Sequence, residues 1–489
     1  MERSRQNQLI NSILTIGHGD LSAYTRAALP VEDPALLAHL IAYTAAHSKV
    51  RDVKVALPVL ALHGPSDAEL AENAVGHLLM LAPRDLRRAA IYHDQLKRQG
   101  WTTQNGGKLL RRGVGDYLRQ RERHTAWVTR GAVQDHASLT WLYDHFHVKP
   151  APHAQAILFD KARFAGTTIE AISKLRTMSP ELQAATIQQV RIPFTVAVGA
   201  VSKATDPVIL RALIDAMTGT EVVTNAKMLE RWTANDAACR GAFEDALARA
   251  TTSGKTETLK AQQAAAQVSA PLAARLEAVV EAQVARQVQP LDCNALIITD
   301  RSGSMHAAVE AGKRIAALVA RRVTGRVKLV FVNTTPWEFD VTGQTLAQIQ
   351  AQTRRVDAVG GTSLGCGLVY AAQQKFAAEL VLVATDGAEN TSPMFVDAYR
   401  HYERTLSLSP SLTVIRLPGE PDVLTPRIQA AGLPLTRYEF ASEQVDGYNL
   451  PEIVNALRPT AYGLLTDVLA TPLITVAEAL LRNVKRYSR

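Results

Sequence analysis

Cysteine is scarce in this chain of 489 residues. The three present, Cys239, Cys293 and Cys366, lie far apart in sequence. Such spacing builds neither a disulfide framework nor a zinc site, and it points to a reducing compartment, the cytoplasm. Long apolar runs are also missing. None reaches the roughly 20 residues that a membrane-spanning helix needs. The opening Met1-Glu2-Arg3-Ser4-Arg5-Gln6-Asn7-Gln8 leads into only a brief apolar patch, so no secretory signal is expected. No fixed repeat period is visible. Acid is in deficit: 46 Asp and Glu stand against 54 Lys and Arg, a formal charge of +8. A basic balance favours polyanionic partners, although a solvated basic surface gives the same number. What is present is globular: 47% hydrophobic residues, a mean hydropathy of −0.04, and length enough for two or three domains.

The most informative stretch is Ala295–Met305, Ala-Leu-Ile-Ile-Thr-Asp-Arg-Ser-Gly-Ser-Met. Leu296, Ile297 and Ile298 form a short apolar run, as expected of a strand buried on both faces. The run ends in Asp300, Ser302 and Ser304, all small oxygen donors. From Met305 the pattern turns helical, with Val309, Ile315, Leu318 and Val319 on one face. A carboxylate and hydroxyls at the carboxyl end of a parallel strand suit a hard cation such as Mg²⁺. Two later pieces belong with them. Gly360-Gly361-Thr362 is a glycine turn that delivers a hydroxyl, and Glu379–Thr385 is an apolar strand that ends in Asp386-Gly387.

Residues 1–289 read as helices, among them Ala35–Ala46, Val53–Leu62, Ala68–Leu81, Leu86–Arg98, Leu110–Arg119, Ser138–Phe146 and Asp206–Met217. Helices in succession without strands predict an all-α, HEAT-like solenoid or ring. Lys255–Val268 and Leu272–Val288 continue them, and Pro290 marks a boundary. Over 290–459 apolar strands at Val327–Val332, Trp337–Phe339, Leu380–Val383, Leu412–Leu417 and Arg437–Phe440 alternate with helices, the last at Leu450–Leu457. That pattern predicts a doubly wound, mostly parallel α/β sheet. Residues 460–489 add a helical extension that either docks on the helical half or lies free.

Asp300, Ser302, Ser304, Thr362 and Asp386, in that order, resemble the metal-ion-dependent adhesion site of von Willebrand factor A domains. The resemblance implies that Ser302, Ser304 and Thr362 touch a divalent cation directly. Asp300 and Asp386 would do so directly or through water, and an open position would take a carboxylate from a protein partner. In the helical half, several stretches resemble the Ro autoantigen family, whose helical module is called TROVE. They are Gly106-Gly107-Lys108-Leu109-Leu110-Arg111-Arg112-Gly113-Val114-Gly115-Asp116-Tyr117, Leu142–Pro150 ending His147-Val148-Lys149-Pro150, and Thr220–Met228. Gly106 replaces that family's Trp, and Thr224 its Arg. Helical module followed by A domain is also the Ro order.

The Ro resemblance implies a helical ring. Small structured Y RNAs would bind its basic outer face, and single-stranded ends of misfolded RNAs would enter its hole. Lys108, Arg111, Arg112, Arg119, Arg121 and Arg123 crowd into one stretch suited to phosphates, with His147 and Lys149 beside a turn. The same run also reads as a solvated helix face. Tyr143 and Phe146 read as core aromatics that would stack on bases only if exposed.

Catalysis by Mg²⁺ needs a second metal or a positioned base. Glu389 and His306 are near in sequence, but a non-catalytic protein is expected. The reading is therefore a cytoplasmic, monomeric RNA-binding protein of ribonucleoprotein-based RNA quality control, cooperating with an exoribonuclease. The alternative is a metal-dependent adaptor working with an AAA+ ATPase.

Overall fold

In the computed structural model, six strands form one sheet in the order β3-β2-β1-β4-β5-β6. They are β1 (Ala295–Asp300), β2 (Val327–Val332), β3 (Pro336–Asp340), β4 (Leu380–Thr385), β5 (Ser411–Arg416) and β6 (Leu435–Glu439). All neighbours pair parallel except β2 with β3, which is antiparallel. The structure describes residues 3–14, 16, 21–28, 32–48, 50–101, 106–160, 167–190, 192–252, 261, 264–265, 267–287, 290–303, 305–440, 453–454, 456–459 and 463–487.

β1, β2 and β4 are buried along their whole length. That explains their largely apolar sequences, since parallel strands covered on both faces have no polar side to alternate; the exception inside β2, Lys328, is ion-paired with Glu338 at 2.8 Å. On one face Leu296, Ile298, Val330, Val332, Val381 and Val383 pack with residues of the helices Gly365–Gln373 and Phe395–Leu406. On the other, the helix His306–Arg322 comes so close that a Cβ on Gly312 would lie 2.3 Å from Thr299 Oγ1. Only glycine permits that approach. β1 pairs with β2 on one side and β4 on the other. The chain therefore leaves β1 toward one edge and later returns to its other side. Such a switch point opens a crevice at the strands' carboxyl ends.

The chain divides into two units, and the division does not follow sequence order. One is Met1–Ala74 with Val288–Leu473, the other Val75–Gln287 with Ile474–Arg489. The expected segments 1–289, 290–459 and 460–489 run along the chain instead. In the first unit, helix α1 (Arg3–Leu14) packs on β6, and Asn7 Nδ2 donates to Thr436 Oγ1 at 3.2 Å. β6 is a half-buried edge strand, and α1 covers it. Helices α2 (Leu21–Ala28), α3 (Pro34–His47) and α4 (Arg51–Ala61) belong to the same unit, where the helix Gly463–Ala470 packs on α3.

In the second unit each helix packs mainly on helices close to it in sequence, as in a solenoid. After α5 (Ala68–Leu79) come α6 (Pro83–Arg98), α7 (Gly106–Glu122), α8 (Thr125–Gln134), α9 (His136–His145) and α10 (Pro152–Leu158), and further helices run to Gln287. Leu210, Leu213, Phe243, Leu247 and Leu276 belong to one core of that later part. The end of the chain docks here rather than lying free. The helix Val476–Tyr487 packs on α7, and Asn483 Nδ2 donates to Leu79 O at 2.9 Å. Of the expected helix Leu450–Leu457, Ile453, Val454 and Ala456 are described and are helical, while most of Lys255–Val268 lies outside the described residues. No helix among the described residues is long and apolar enough to cross a membrane.

Candidate metal centre and nucleic-acid interface

Asp300 closes β1, the central strand, and is fully buried. Its carboxylate accepts from Ser302 N at 2.8 Å and from Thr385 Oγ1 at 2.8 Å. Thr385 is the last residue of β4, so that bond brings Asp300 beside Asp386. Asp386 is also fully buried; its carboxylate accepts from Ala388 N and Glu420 N. A Cβ on Gly419 would lie 2.5 Å from Asp386 Oδ2, so the backbone presses directly on this carboxylate.

Thr362, 3% exposed, arrives on a neighbouring loop. Its N donates to Asn390 Oδ1, while Asn390 N and Thr391 N donate to its carbonyl. Gly303 N donates to Gly360 O, and Val359 N to Arg301 O, which ties the Ser302 loop to the Thr362 loop. Gly360 takes φ +86°, a left-handed turn that suits glycine. Asp300, Ser302, Thr362 and Asp386 thus sit on interlocked loops at the switch point. Ser304 lies outside the described residues.

Burial pushes the Asp300 carboxyl up; the Asp386 charge adds to this, and the bonds from Ser302 and Thr385 oppose it. Two carboxylates held together out of water are costly unless a cation joins them. Among the described residues no cluster of three or more His, Cys, Asp or Glu is placed to hold a metal. This set has two carboxylates and takes its remaining donors from hydroxyls, so it fits a hard cation by its chemistry.

Glu389, one imagined base, is committed to structure. Its Oε1 accepts from Leu364 N at 3.1 Å and Phe395 N at 2.8 Å, the N-terminal amides of two helices. Burial raises its carboxyl above the usual range. The native state therefore holds that proton at higher pH than the unfolded chain does. Stability from this group falls as pH rises from the ordinary carboxylate range through the raised value. Glu389→Gln keeps an acceptor without the charge. It is expected to flatten this part of the stability–pH curve and to match or exceed the wild type at neutral pH, as read by urea unfolding across pH.

In the helical unit, Lys108, Arg111, Arg112 and Arg119 project from α7 and are exposed, as is Arg123 just after it. Lys108, Arg112 and Arg119 follow i, i+4 and i+11 spacing along one stripe, which Gly115 interrupts. The exposed His147 and Lys149 flank Val148, and a Cβ on Gly115 would meet Val148 Cγ2 at 3.8 Å. The turn after α9 therefore seats on α7 at the gap in the cationic stripe. Glu122 fixes the arrangement: its Oε1 accepts from Tyr143 Oη and Ala151 N. Tyr143 and Phe146 are buried, as expected of core aromatics. His147 takes φ +52°, but Lys375 and Ser407 end helices in the same way, so this conformation marks a helix stop.

Arg121 stands apart. It is 4% exposed; Nη1 donates to Tyr117 Oη, Nη2 donates to Trp127 O, and the guanidinium lies 4.7 Å from the Trp127 ring centroid. It holds α7 to α8 and is not presented to a ligand. The signal was legible: Leu110, Val114, Tyr117 and Leu118 mark the buried stripe of α7, and Arg121 continues it. Arg121→Ala is expected to cost about 2–3 kcal/mol in chemical denaturation, because two buried charged hydrogen bonds and a cation–π contact vanish. Sequence reading also missed a half-buried stack in which Arg87 lies 5.4 Å from the Trp141 ring and Trp141 stacks on His145 at 4.2 Å. Its one sequence signal was the i, i+4 spacing of Trp141 and His145.

No family model and no curated protein matches this chain. Among solved structures, the Ro (RSR) protein of Deinococcus radiodurans matches with a TM-score of 0.65 and 17% identity, over 93% of this chain and 99% of that one. The chain has the Ro fold. Both parts are covered, the helical solenoid and the α/β sheet of A-domain type. Smaller matches include a von Willebrand factor type A protein from Catenulispora acidiphila (TM-score 0.28, 19% identity, 34% of this chain and 42% of that one). Another is an aerotolerance-related membrane protein from Bacteroides fragilis (0.26, 16%, 33% and 96%).

Proposed function

We propose that this chain is a non-catalytic RNA-binding protein of the Ro type. In this reading it binds small structured RNA through the α7 stripe and the adjoining turn, and takes single-stranded RNA ends into a ring. One observation carries the reading: within a Ro fold, Lys108, Arg111, Arg112, Arg119, His147 and Lys149 are exposed, and the turn that carries His147 and Lys149 packs on α7 where Val148 faces Gly115. Phosphate contacts position RNA without reading it, and His147 adds a donor for a base edge or phosphate. Arg121 is left out of this surface. Asp300, Ser302, Ser304, Thr362 and Asp386 would hold Mg²⁺, which would offer a coordination position to a partner's carboxylate. The use of Glu389 as a helix cap supports a non-catalytic role. The setting we infer is a monomer in the cytoplasm that works with an exoribonuclease on misfolded RNA. Filter binding of small hairpin RNAs at several salt concentrations tests it. Tight, salt-sensitive binding is expected; no binding at low salt would transfer the reading to the protein adaptor.

A further inference from the structure

Asp386 is held from two sides. Its Oδ1 accepts from Ala388 N at 3.0 Å, within its own loop. Its Oδ2 accepts from Glu420 N at 3.1 Å, and Glu420 lies on the loop that follows β5. That loop, Leu417-Pro418-Gly419-Glu420-Pro421-Asp422, lies against the carboxylate like a strap. Its ends are tied by backbone. Leu417 N donates to Thr385 O, and Val423 N and Leu424 N donate to Gly387 O. Its middle is exposed at Gly419, Glu420 and Pro421, so burial does not fix it there. Pro418 and Pro421 have no N–H to give. What holds the middle of the strap is a side chain.

Arg416 is the last residue of β5, and strand register sets it beside Thr385 of β4 and Glu439 of β6. Its Nε donates to Asp386 O at 3.2 Å, and its Nη2 donates to Glu420 O at 3.3 Å. One guanidinium thus bridges the carbonyls of the two residues that the Asp386–Glu420 bond joins. That takes several donors in a fixed planar fork, which Arg has and Lys lacks. Acids steady the fork. Nη1 pairs with Glu439, and Asp422 Oδ2 lies 3.7 Å from Nε. Arg437 Nη2 lies 3.4 Å from Asp422 Oδ2 and 2.8 Å from Glu439 Oε2. Two arginines therefore face two acids, and the exposed Glu420 is the remaining acid of the strap. The Arg416 and Asp422 side chains are only 19% and 14% exposed, so water screens them less than Glu439 at 48%.

We propose that Arg416 is a positioning residue of the metal centre: it latches the 417–422 strap onto Asp386 and so fixes that carboxylate for the cation. This rests on the metal reading above and adds a residue outside the five oxygen donors. The latch works by geometry and not by charge. As a charge, Arg416 opposes a nearby cation, and its removal leaves Asp422 and Glu439 facing Arg437 alone, which favours metal binding. As a latch, its removal loosens the strap, takes Glu420 N from Asp386 Oδ2 and weakens metal binding. Charge and latch therefore shift the affinity in opposite directions. Groups that orient metal ligands cost about tenfold to a hundredfold in affinity when removed, so the latch is expected to win.

The test uses the full chain. Mg²⁺ is titrated by calorimetry into the wild type, Arg416→Gln, Arg416→Lys and Glu439→Gln, and each metal-free protein is unfolded in urea. Both Arg416 variants are expected to weaken Mg²⁺ binding by about tenfold to a hundredfold. Lys keeps the positive charge beside Asp422 and Glu439, so its failure to rescue marks the fork and not the charge. If Arg416→Gln does not fold, Arg416→Lys carries the test. Glu439→Gln removes only the half-exposed outer partner and should stay within about threefold of the wild type. Mn²⁺ then serves as a spectroscopic probe, read by the relaxation of water protons. A loosened Asp386 gives bound Mn²⁺ more or faster-exchanging water, so the relaxation enhancement at saturation should rise in Arg416→Lys. Weaker binding with the wild-type enhancement means a role in folding alone and overturns the proposal. So does unchanged or tighter Mg²⁺ binding in both Arg416 variants, or a loss in Glu439→Gln as large as theirs; in each of these cases the metal centre stands. A wild type that binds neither Mg²⁺ nor Mn²⁺ overturns the metal reading, and this proposal with it.

Discussion

Asp300→Ala is expected to abolish Mg²⁺ binding and the stabilisation that Mg²⁺ would confer, while the metal-free protein stays folded. The carboxylate lies fully buried at the end of the central strand. Without a cation its charge is unfavourable there, raised by burial and by Asp386, and only partly offset by Ser302 N and Thr385 Oγ1. Removing it deletes an unfavourable charge together with two hydrogen bonds. The metal-free change is therefore on the order of 1 kcal/mol in either direction. With metal the outcomes separate. A ligand at a hundred times its dissociation constant stabilises the native state by about 2.7 kcal/mol, and the variant loses all of it. Unfolding curves with and without Mg²⁺ should diverge for the wild type and coincide for Asp300→Ala; Ser302→Ala should behave in the same way. Because the Asp300 carboxyl is raised, protons compete with the cation above the usual carboxylate range, and affinity should fall as pH drops through that window. Equal calorimetric affinity in wild type and both variants would remove the metal centre from the molecule.

The second large effect concerns RNA. Arg111 and Arg112 are exposed neighbours on α7. Each phosphate contact contributes about 0.7 to 0.9 to the slope of log affinity against log salt, so replacing both by Ala should lower the slope by about 1.4 to 1.8. Carried from 1 M to 0.1 M salt, that difference is a loss of roughly thirtyfold in affinity, alike for all structured RNAs. His147→Ser should change the slope less and discrimination among RNAs more, because a ring donor reads edges as well as charge. Asp300→Ala should leave RNA affinity near the wild-type value. Filter binding across a salt series measures all of these together. Unchanged affinity and slope in the Arg111/Arg112 variant would place the RNA elsewhere.

Much of the α/β unit was legible because its signals are local. A strand covered on both faces is apolar nearly throughout, so Leu296–Ile298, Val327–Val332 (with Lys328 as its one charge) and Leu380–Val383 stand out by composition, and the oxygen donors follow directly after two of them. The helical unit was legible in kind but not in number. The helix Ala237–Thr252 buries Ala242, Ala246 and Ala250 alongside Phe243 and Leu247, and a face built largely of alanine gives little contrast to a periodic reading.

The cationic cluster shows the boundary most clearly. Six basic side chains between Lys108 and Arg123 are equal in a charge count. The apolar stripe of α7 points to Arg121 as the inward one, and packing holds it between Tyr117 and Trp127, apart from the exposed others. By itself, the sequence determined the fold class, the order of helical solenoid and sheet, and the residue types at the switch point. Each follows from periodicity or from neighbours within a few positions. Tertiary structure alone decided that residues 1–74 belong with the sheet, that the final helix belongs with the solenoid, and that His147 and Lys149 join the α7 stripe. Those outcomes depend on which distant surface covers an exposed edge or fills a gap. Burial energy selects among such pairings by shape, and shape is not written in any one stretch of chain.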